Sequence, residues 1–519
     1  MKNIALVLIG LALGCNSSQK PVKDGSSNAK KDNAPVYAST ITEAELKTHL
    51  YTYASDDFEG RETGKPGQKK AVAYLKAEYE KMGIAAAKGG DDYFQKVPLE
   101  IVKLPTGTMS VADSEYVLGT DFLTFTPTKK NFADIVYVGY GIEDEKYSDY
   151  KDIDVKGKLV LIKAGEPKNE DGSYVLSGSS EPSIWSNMSQ AIDKRTALAK
   201  DKGAVGMLYF DAQNFSRFKR YFEYMKLNNS GQMSIQENTA DDFFQMYITE
   251  TMAKALLTTI TSDDMPSVLA TPVSIDLTAT DEQIDSENVV ALLKGSTKPD
   301  EYLVISSHLD HIGITADGQI NNGADDDGSG TVALLEIAQA FKNAADQGNG
   351  PARSIVFLHV TGEEKGLLGS QYYTDIDPIV PLEKTVANLN IDMIGRIDPK
   401  RTGDRNYVYL IGSDKLSTEL HELSEKVNEK YTNIALDYTY NDENDPNRFY
   451  YRSDHYNFAK NNIPIIFYFN GTHDDYHRPG DTPDKINYDL LENRTRLVFH
   501  TAWEVANRAE KLVVDKASK

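Results

Sequence analysis

Cysteine is almost missing from this sequence of 519 residues: Cys15 stands alone. One thiol excludes an intramolecular disulfide and a cysteine-based zinc site, so any metal must be held by His, Asp and Glu. Basic charge is scarce too, since 56 Lys and Arg face 78 Asp and Glu and leave a net charge of −22. Such a surface repels a phosphate backbone, which argues against nucleic acid as a partner; most of the acidic excess serves solubility. After Leu13 no segment is apolar enough to cross a membrane. What remains is an ordinary globular balance, 40% apolar and 26% charged, in a length that suits two or three domains around a large core.

The first residues have a different character. Lys2 precedes an apolar run from Ile4 to Leu13, then Gly14-Cys15, then polar Asn16-Ser17-Ser18. A charged start, a short apolar core and a small residue at the boundary describe an export signal. Ala12-Leu13-Gly14-Cys15 is similar to a bacterial lipobox, apart from Ala12 where leucine is usual. That similarity implies lipidation of Cys15 and attachment to the cell envelope. The order of segments expected is a signal over 1–15 and a flexible tether over 16–36, where large apolar side chains are almost absent.

Helical spacing follows, with Ala71, Leu75, Tyr79 and Met82 on one face and Gly83 as a stop. Residues 106–284 read as an autonomous β-rich unit with a helix or two, its short runs Ala133–Val138 and Lys158–Ile162 flanked by glycine. They interrupt a second unit made of 37–105 and 285–519. Beyond Asn288, apolar runs (Val289–Leu293, Leu303–Ser306, Ser354–His359, Val386–Ile391, Tyr407–Ile411, Ile463–Phe469) alternate with helical stretches such as Gly330–Asn343 and Ser417–Lys430. That rhythm predicts an α/β fold with a largely parallel central sheet flanked by helices.

In open α/β sheets ligands gather beyond the carboxyl ends of the strands. Five such loops carry candidate metal ligands: Ser307-His308-Leu309-Asp310-His311, the run Asp325-Asp326-Asp327 among glycines, Thr361-Gly362-Glu363-Glu364, Asp392, and His477. Asp310 stands two residues from His308, a spacing that lets a carboxylate orient an imidazole. Neighbouring carboxylates repel and lose solvation in a cleft, so their convergence makes sense only around cations. Two histidines with carboxylates suit zinc, whereas an all-oxygen cage would suit calcium or magnesium. His311 and His473 stand as near the site as on a loop surface, His359 reads as a core histidine, and Phe449-Tyr450-Tyr451 reads as packing.

The segments HLDH, NNGADDDGSG, TGEEKGLLGS, NIDMIG and YHRPGDTP resemble the two-zinc aminopeptidase family, which also includes glutamate carboxypeptidase II, the transferrin receptor and animal-type glutaminyl cyclases. Residues 55–84 look like that family's N-terminal segment, and YVGYGI, KGKLVLI and KGAVGMLYF look like its protease-associated insertion. The resemblance implies a zinc-exopeptidase-like fold holding two zinc ions. His308 and Asp392 would bind one, Glu364 and His477 the other, and Asp326 would bridge them. Glu363 would be the general base and Asp310 would orient His308; spacing alone leaves Glu363 and Glu364 interchangeable. The implied substrates are peptides, cut at the N-terminus. A carboxypeptidase or dipeptidase is the alternative, with Arg448 and Arg452 available for a substrate carboxylate; a glutaminyl cyclase would use one zinc, and a binding protein would lack ligands. The oligomeric state is left open.

The Cys15→Ser variant is expected to leave the membrane fraction and to incorporate no labelled palmitate. Label retained by the variant would contradict lipidation.

Overall fold

The computed structural model describes residues 32–187, 190–228, 231–236, 243–262 and 264–516. The export signal, Cys15 and most of the expected tether lie outside them. The end of that tether does not: Ala34–Ala38 form a short helix with Pro35 in its first turn, and Ala34, Tyr37 and Ala38 are buried. Tyr37 stacks on Trp503 at 5.8 Å between ring centroids. Residues 34–38 therefore pack onto the fold, because Tyr37 has an aromatic partner to bury against.

A ten-stranded sheet forms the centre, ordered 232–235, 94–102, 281–293, 353–360, 298–308, 385–391, 465–469, 407–411 and 435–437, with Ala85–Ala86 beside 281–293. The four middle strands, 353–360 to 465–469, run parallel. Both flanks are antiparallel: 281–293 opposes 353–360, and 407–411 opposes 465–469. The sheet is thus mixed rather than largely parallel. Only four residues separate Leu293 from Lys298, too few for the crossover that parallel strands require.

One sheet face packs on the helices Glu43–Tyr53, Pro66–Met82, Gly330–Asp346, Thr418–Tyr431 and Tyr488–Asn507, burying residues such as Ile305, Phe357, Leu389, Phe341 and Phe499. The helix Pro66–Met82 buries Ala71, Leu75 and Tyr79 and ends at Gly83, whose φ of 70° favours glycine. Shorter helical turns, among them His455–Ala459, cover the opposite face over Val304, Val356 and Leu358. The middle strands are apolar on both sides because both sides are covered. Among the described residues no helix is long and apolar enough to cross a membrane.

Between 106 and 278 the described chain builds two larger sheets and a two-stranded one, 143–144 with 147–148. One larger sheet has six strands, including a parallel set 135–137, 159–163, 206–210 and 244–248. The other has four antiparallel strands. These two share a core of Met109, Phe122, Ile135, Leu161, Leu208, Phe244 and Ile275. One strand of this region, Gln232–Ile235, joins the central sheet instead, pairing with 94–102.

Arg61, from the N-terminal segment, is buried to 1% exposure. It donates to the main-chain oxygens of Tyr53 (3.1 Å), Asn322 (2.7 Å) and Gly323 (2.8 Å), and its guanidinium lies 4.7 Å from the Tyr53 ring centroid. It therefore ties the helix 43–53 to the loop that leads into the three aspartates. Arg61→Met strips three buried carbonyls of their donor and is expected to cost about 3 kcal/mol in urea unfolding. A loss under about 1 kcal/mol would mean that other contacts hold this loop.

Candidate metal centre

His308 ends the strand 298–308, Asp392 follows 385–391, and Glu363 and Glu364 lie just past 353–360. The loop 324–329 feeds the helix Gly330–Asp346, and His477 follows the strand ending at Phe469. The parallel strands thus deliver their loops to one end of the sheet, as such sheets do with ligand-binding residues.

The Nδ1 of His308 lies 3.1 Å from the main-chain oxygen of Asp310. Donation to that carbonyl directs Nε2 inward as the coordinating atom. Nε2 has no hydrogen-bond partner and lies 3.2 Å from Asp326 Oδ1, 3.6 Å from Asp392 Oδ1 and 4.0 Å from Glu363 Oε2. Beside it, His477 Nε2 is 3.1 Å from Asp326 Oδ2 and 3.0 Å from Glu364 Oε2. Asp326 thus turns one oxygen toward each histidine. The fold brings together all five residues expected as ligands and Glu363.

Asp310 orients His308 through its main chain; its carboxylate stands 3.9 Å from Nδ1. The carboxylate instead accepts from Thr63 Oγ1 at 2.7 Å and from the Glu363 amide at 3.2 Å. It therefore links the N-terminal segment to the glutamate loop.

The three consecutive aspartates face three ways. Asp325 Oδ1 accepts the Gly395 amide at 2.6 Å. Asp327 accepts from Gly330 (2.8 Å), Met393 (3.1 Å) and His308 (3.3 Å) amides. Asp326 Oδ2 is buried with no hydrogen-bond partner. The turn is closed by glycine: at Gly323, with φ of 55°, a Cβ would stand 2.4 Å from the Asp326 oxygen and 2.6 Å from the His311 ring.

Electrostatics at this cluster call for positive charge. Burial opposes a charged His308, but Glu363, Asp392 and Asp326 outweigh it and hold its pKa well above the usual value. Burial likewise opposes protonation of His477, which Asp326 and Glu364 nonetheless raise to about 10. Burial drives the Glu363 carboxyl well above the usual range, His308 opposing this and Asp392 and Glu364 adding to it.

Two sets of donors lie close enough to share an ion: His308 with Asp327 and Asp392, and His311 with Asp326 and Glu364. Asp327 is the weaker candidate, because main-chain amides already occupy its oxygens, whereas Asp326 Oδ2, His308 Nε2 and His311 Nε2 are buried and unpartnered. Open imidazole nitrogens and carboxylate oxygens facing one another fit a pair of divalent cations, and their mixed N/O chemistry suits zinc.

The sequence undervalued several residues. His311 is fully buried, its Nδ1 2.8 Å from Glu364 Oε1. Asp481 accepts the amides of Asp325 (2.9 Å) and Asp326 (3.1 Å), fixing the turn that carries Asp326. His473 lies 3.3 Å from Asp325. The only signal for the first two was their place inside the HLDH and YHRPGD segments. His455 Nε2 donates to the Tyr450 main-chain oxygen at 2.7 Å, and the ring packs on Phe467; Ser453 donates to Asp392 at 2.7 Å. His359 is the core histidine expected, bonded to Tyr79 (2.8 Å) and Ser307 (3.0 Å). Phe449 does more than pack: with Met393, Phe467 and Phe469 it walls a cavity that opens onto Asp326, Glu363 and Asp392.

Residues 288–502 match the family model Peptidase family M28. A probable leucine aminopeptidase 2 from Aspergillus oryzae is 24% identical, across 90% of this chain and 83% of its own length. A leucine aminopeptidase 1 from Coccidioides posadasii is 30% identical, across 42% of this chain and 55% of its own. Among solved structures, an aminopeptidase from Aneurinibacillus sp. strain AM-1 superposes with a TM-score of 0.46 at 18% identity, across 93% of this chain and 98% of that one. Given two facing sets of imidazole and carboxylate donors and the similarity of residues 288–502 to peptidase family M28, the chain is a co-catalytic two-metal metallopeptidase.

Proposed function

We propose that this peptidase removes single amino acids from peptide N-termini, with Glu363 as general base. His308 and Asp392 would hold one zinc and Glu364 and His477 the other, with Asp326 offering an oxygen to each. The observation that carries the reading is Asp326, whose two oxygens face the two histidines from between them. Zinc bound here supplies Lewis acidity, which polarises the scissile carbonyl and lowers the pKa of a water molecule.

The chain's own groups do the rest. Glu363 takes the proton of the attacking water and returns it to the leaving amine, a role matched by its buried carboxyl and raised pKa. Asp310 accepts the Glu363 amide and so sets where that carboxylate stands. The apolar walls Met393, Phe449, Phe467 and Phe469 suit an apolar side chain on the residue being removed. Arg452 in the same cavity favours a second reading, a carboxypeptidase or dipeptidase that grips a substrate carboxylate.

Residues 106–284 are read as an inserted protease-associated unit, supported by the six- and four-stranded sheets there and the core those two share. Export and attachment through lipidated Cys15 belong to the same proposal and rest on residues 1–18.

Glu363→Gln is expected to retain about two zinc ions per chain while losing on the order of 10³-fold in kcat; an active variant would remove Glu363 from the base role. Peptides with a free N-terminal amine are expected to be cleaved and their Nα-acetylated counterparts left intact. Turnover of acetylated dipeptides instead would favour the Arg452 reading.

A further inference from the structure

A cavity of about 620 Å³ opens in the six-stranded sheet, lined by none of the residues of the metal centre. It lies beyond the carboxyl ends of the parallel strands 159–163 and 206–210, its walls including Lys163, Ala164, Gly165 and Glu166 after the first and Asp211 to Asn214 after the second. This is where an open parallel sheet collects ligands, and the volume falls in the range of small-molecule sites.

Glu166 is the chemical anomaly of this crevice. It is 4% exposed. Its Oε1 accepts from the Ser183 amide at 2.8 Å and Ser186 Oγ at 2.7 Å, which fixes the carboxylate, while Oε2 has no partner. The nearby buried Arg195 attracts it electrostatically but gives it no hydrogen bond. Arg195 gives its N–H groups to the main-chain oxygens of Tyr140, Gly165, Trp185 and Ala191.

The other carboxylates on the wall are engaged. Asp264 pairs with Lys163 and Glu250 with Lys254, and Asp211 accepts from Gln213 and Asn214. Among the described lining residues, Glu166 is therefore the buried acid with an open oxygen. Tyr140, Tyr174, Trp185 and Tyr209 line the same cavity, and rings of this wall already attract cations, Lys163 lying 4.7 Å from the Tyr140 centroid and Lys168 4.4 Å from that of Tyr174. A held carboxylate beside aromatic faces recognises an organic cation.

We propose that this crevice binds the guanidinium or ammonium group of a basic peptide side chain, with Glu166 Oε2 accepting its N–H. The site is separate from the metal centre and stands or falls without reference to the cleavage reaction.

The test uses the zinc-loaded chain and Nα-acetyl-L-arginine amide, which has neither a free α-amine nor an α-carboxylate to offer the metal centre. Calorimetric titration is expected to show it binding about tenfold or more tightly than Nα-acetyl-L-citrulline amide, its uncharged counterpart of similar shape. In Glu166→Gln, which keeps the size and one acceptor, the two probes are expected to converge. Equal affinities in the parent chain, or an undiminished preference in folded Glu166→Gln, would overturn the proposal. A second readout needs no change at Glu166. The chain has two tryptophans, and with Trp503→Phe the emission reports Trp185 on the cavity wall. The arginine probe should shift that emission and the citrulline probe should not; an unresponsive Trp185 at saturating arginine probe would also overturn the proposal.

Discussion

Everything at the metal centre follows from the cost of gathering carboxylates away from water. Asp310, Asp325, Asp326, Asp327, Asp392 and Asp481 are all buried, and buried like charges would push this end of the sheet apart unless each were answered. Two kinds of answer are present. Asp310, Asp325, Asp327 and Asp481 are met by main-chain amides, Asp310 also by a hydroxyl. These charges act as structural ties, each joining two loops. Asp326 Oδ2, His308 Nε2 and His311 Nε2 receive no such answer, and the cations that satisfy them therefore complete the fold as well as the chemistry.

The legible part of this arrangement was the ends of apolar runs. Runs such as Ser354–His359 and Val386–Ile391 are buried on both faces and stop abruptly at charged residues, so the sequence places Glu363, Glu364 and Asp392 at strand ends without any knowledge of pairing. Strand direction was harder to read, because a strand buried on both sides has the same pattern whether its neighbours run parallel or not. The short link from Leu293 to Lys298 did contain the missing information. It allows the two strands to run oppositely and leaves room for 353–360 between them, the order found.

The division of labour within Asp325-Asp326-Asp327 was not legible, since three identical side chains in a row differ only in the direction the backbone gives them. Gly395, Gly330 and Met393 supply the amides that claim the outer two, and Gly395 and Met393 lie some 70 residues away in sequence. The same distance hid Asp481, which reaches the Asp326 amide from a loop more than 150 residues on. His311 was undervalued for a related reason: its partner Glu364 arrives on a different strand. Local spacing identifies the loops, whereas the roles inside them are set by contacts between loops.

The region 106–278 is joined to the catalytic sheet by more than chain connection. Its outgoing and returning strands, 94–102 and 281–293, pair with each other from Phe94–Val289 to Val102–Asp281, and its strand 232–235 caps the outer edge that would otherwise stay unpaired. The returning strand also meets the glutamate loop. Ser286 Oγ lies 2.6 Å from Thr361 Oγ1, and Asn288 accepts the Thr361 amide at 2.9 Å while donating to Gly369 at 3.0 Å. Thr361 is two residues before Glu363, so the strand that follows the region 106–278 also fixes the start of the loop bearing both glutamates. Through these buried bonds the strand 281–293 supports both the region 106–278 and that loop. A substitution at Ser286 or Asn288 would therefore act on Glu363 through the main chain, although neither residue reaches the metal ligands.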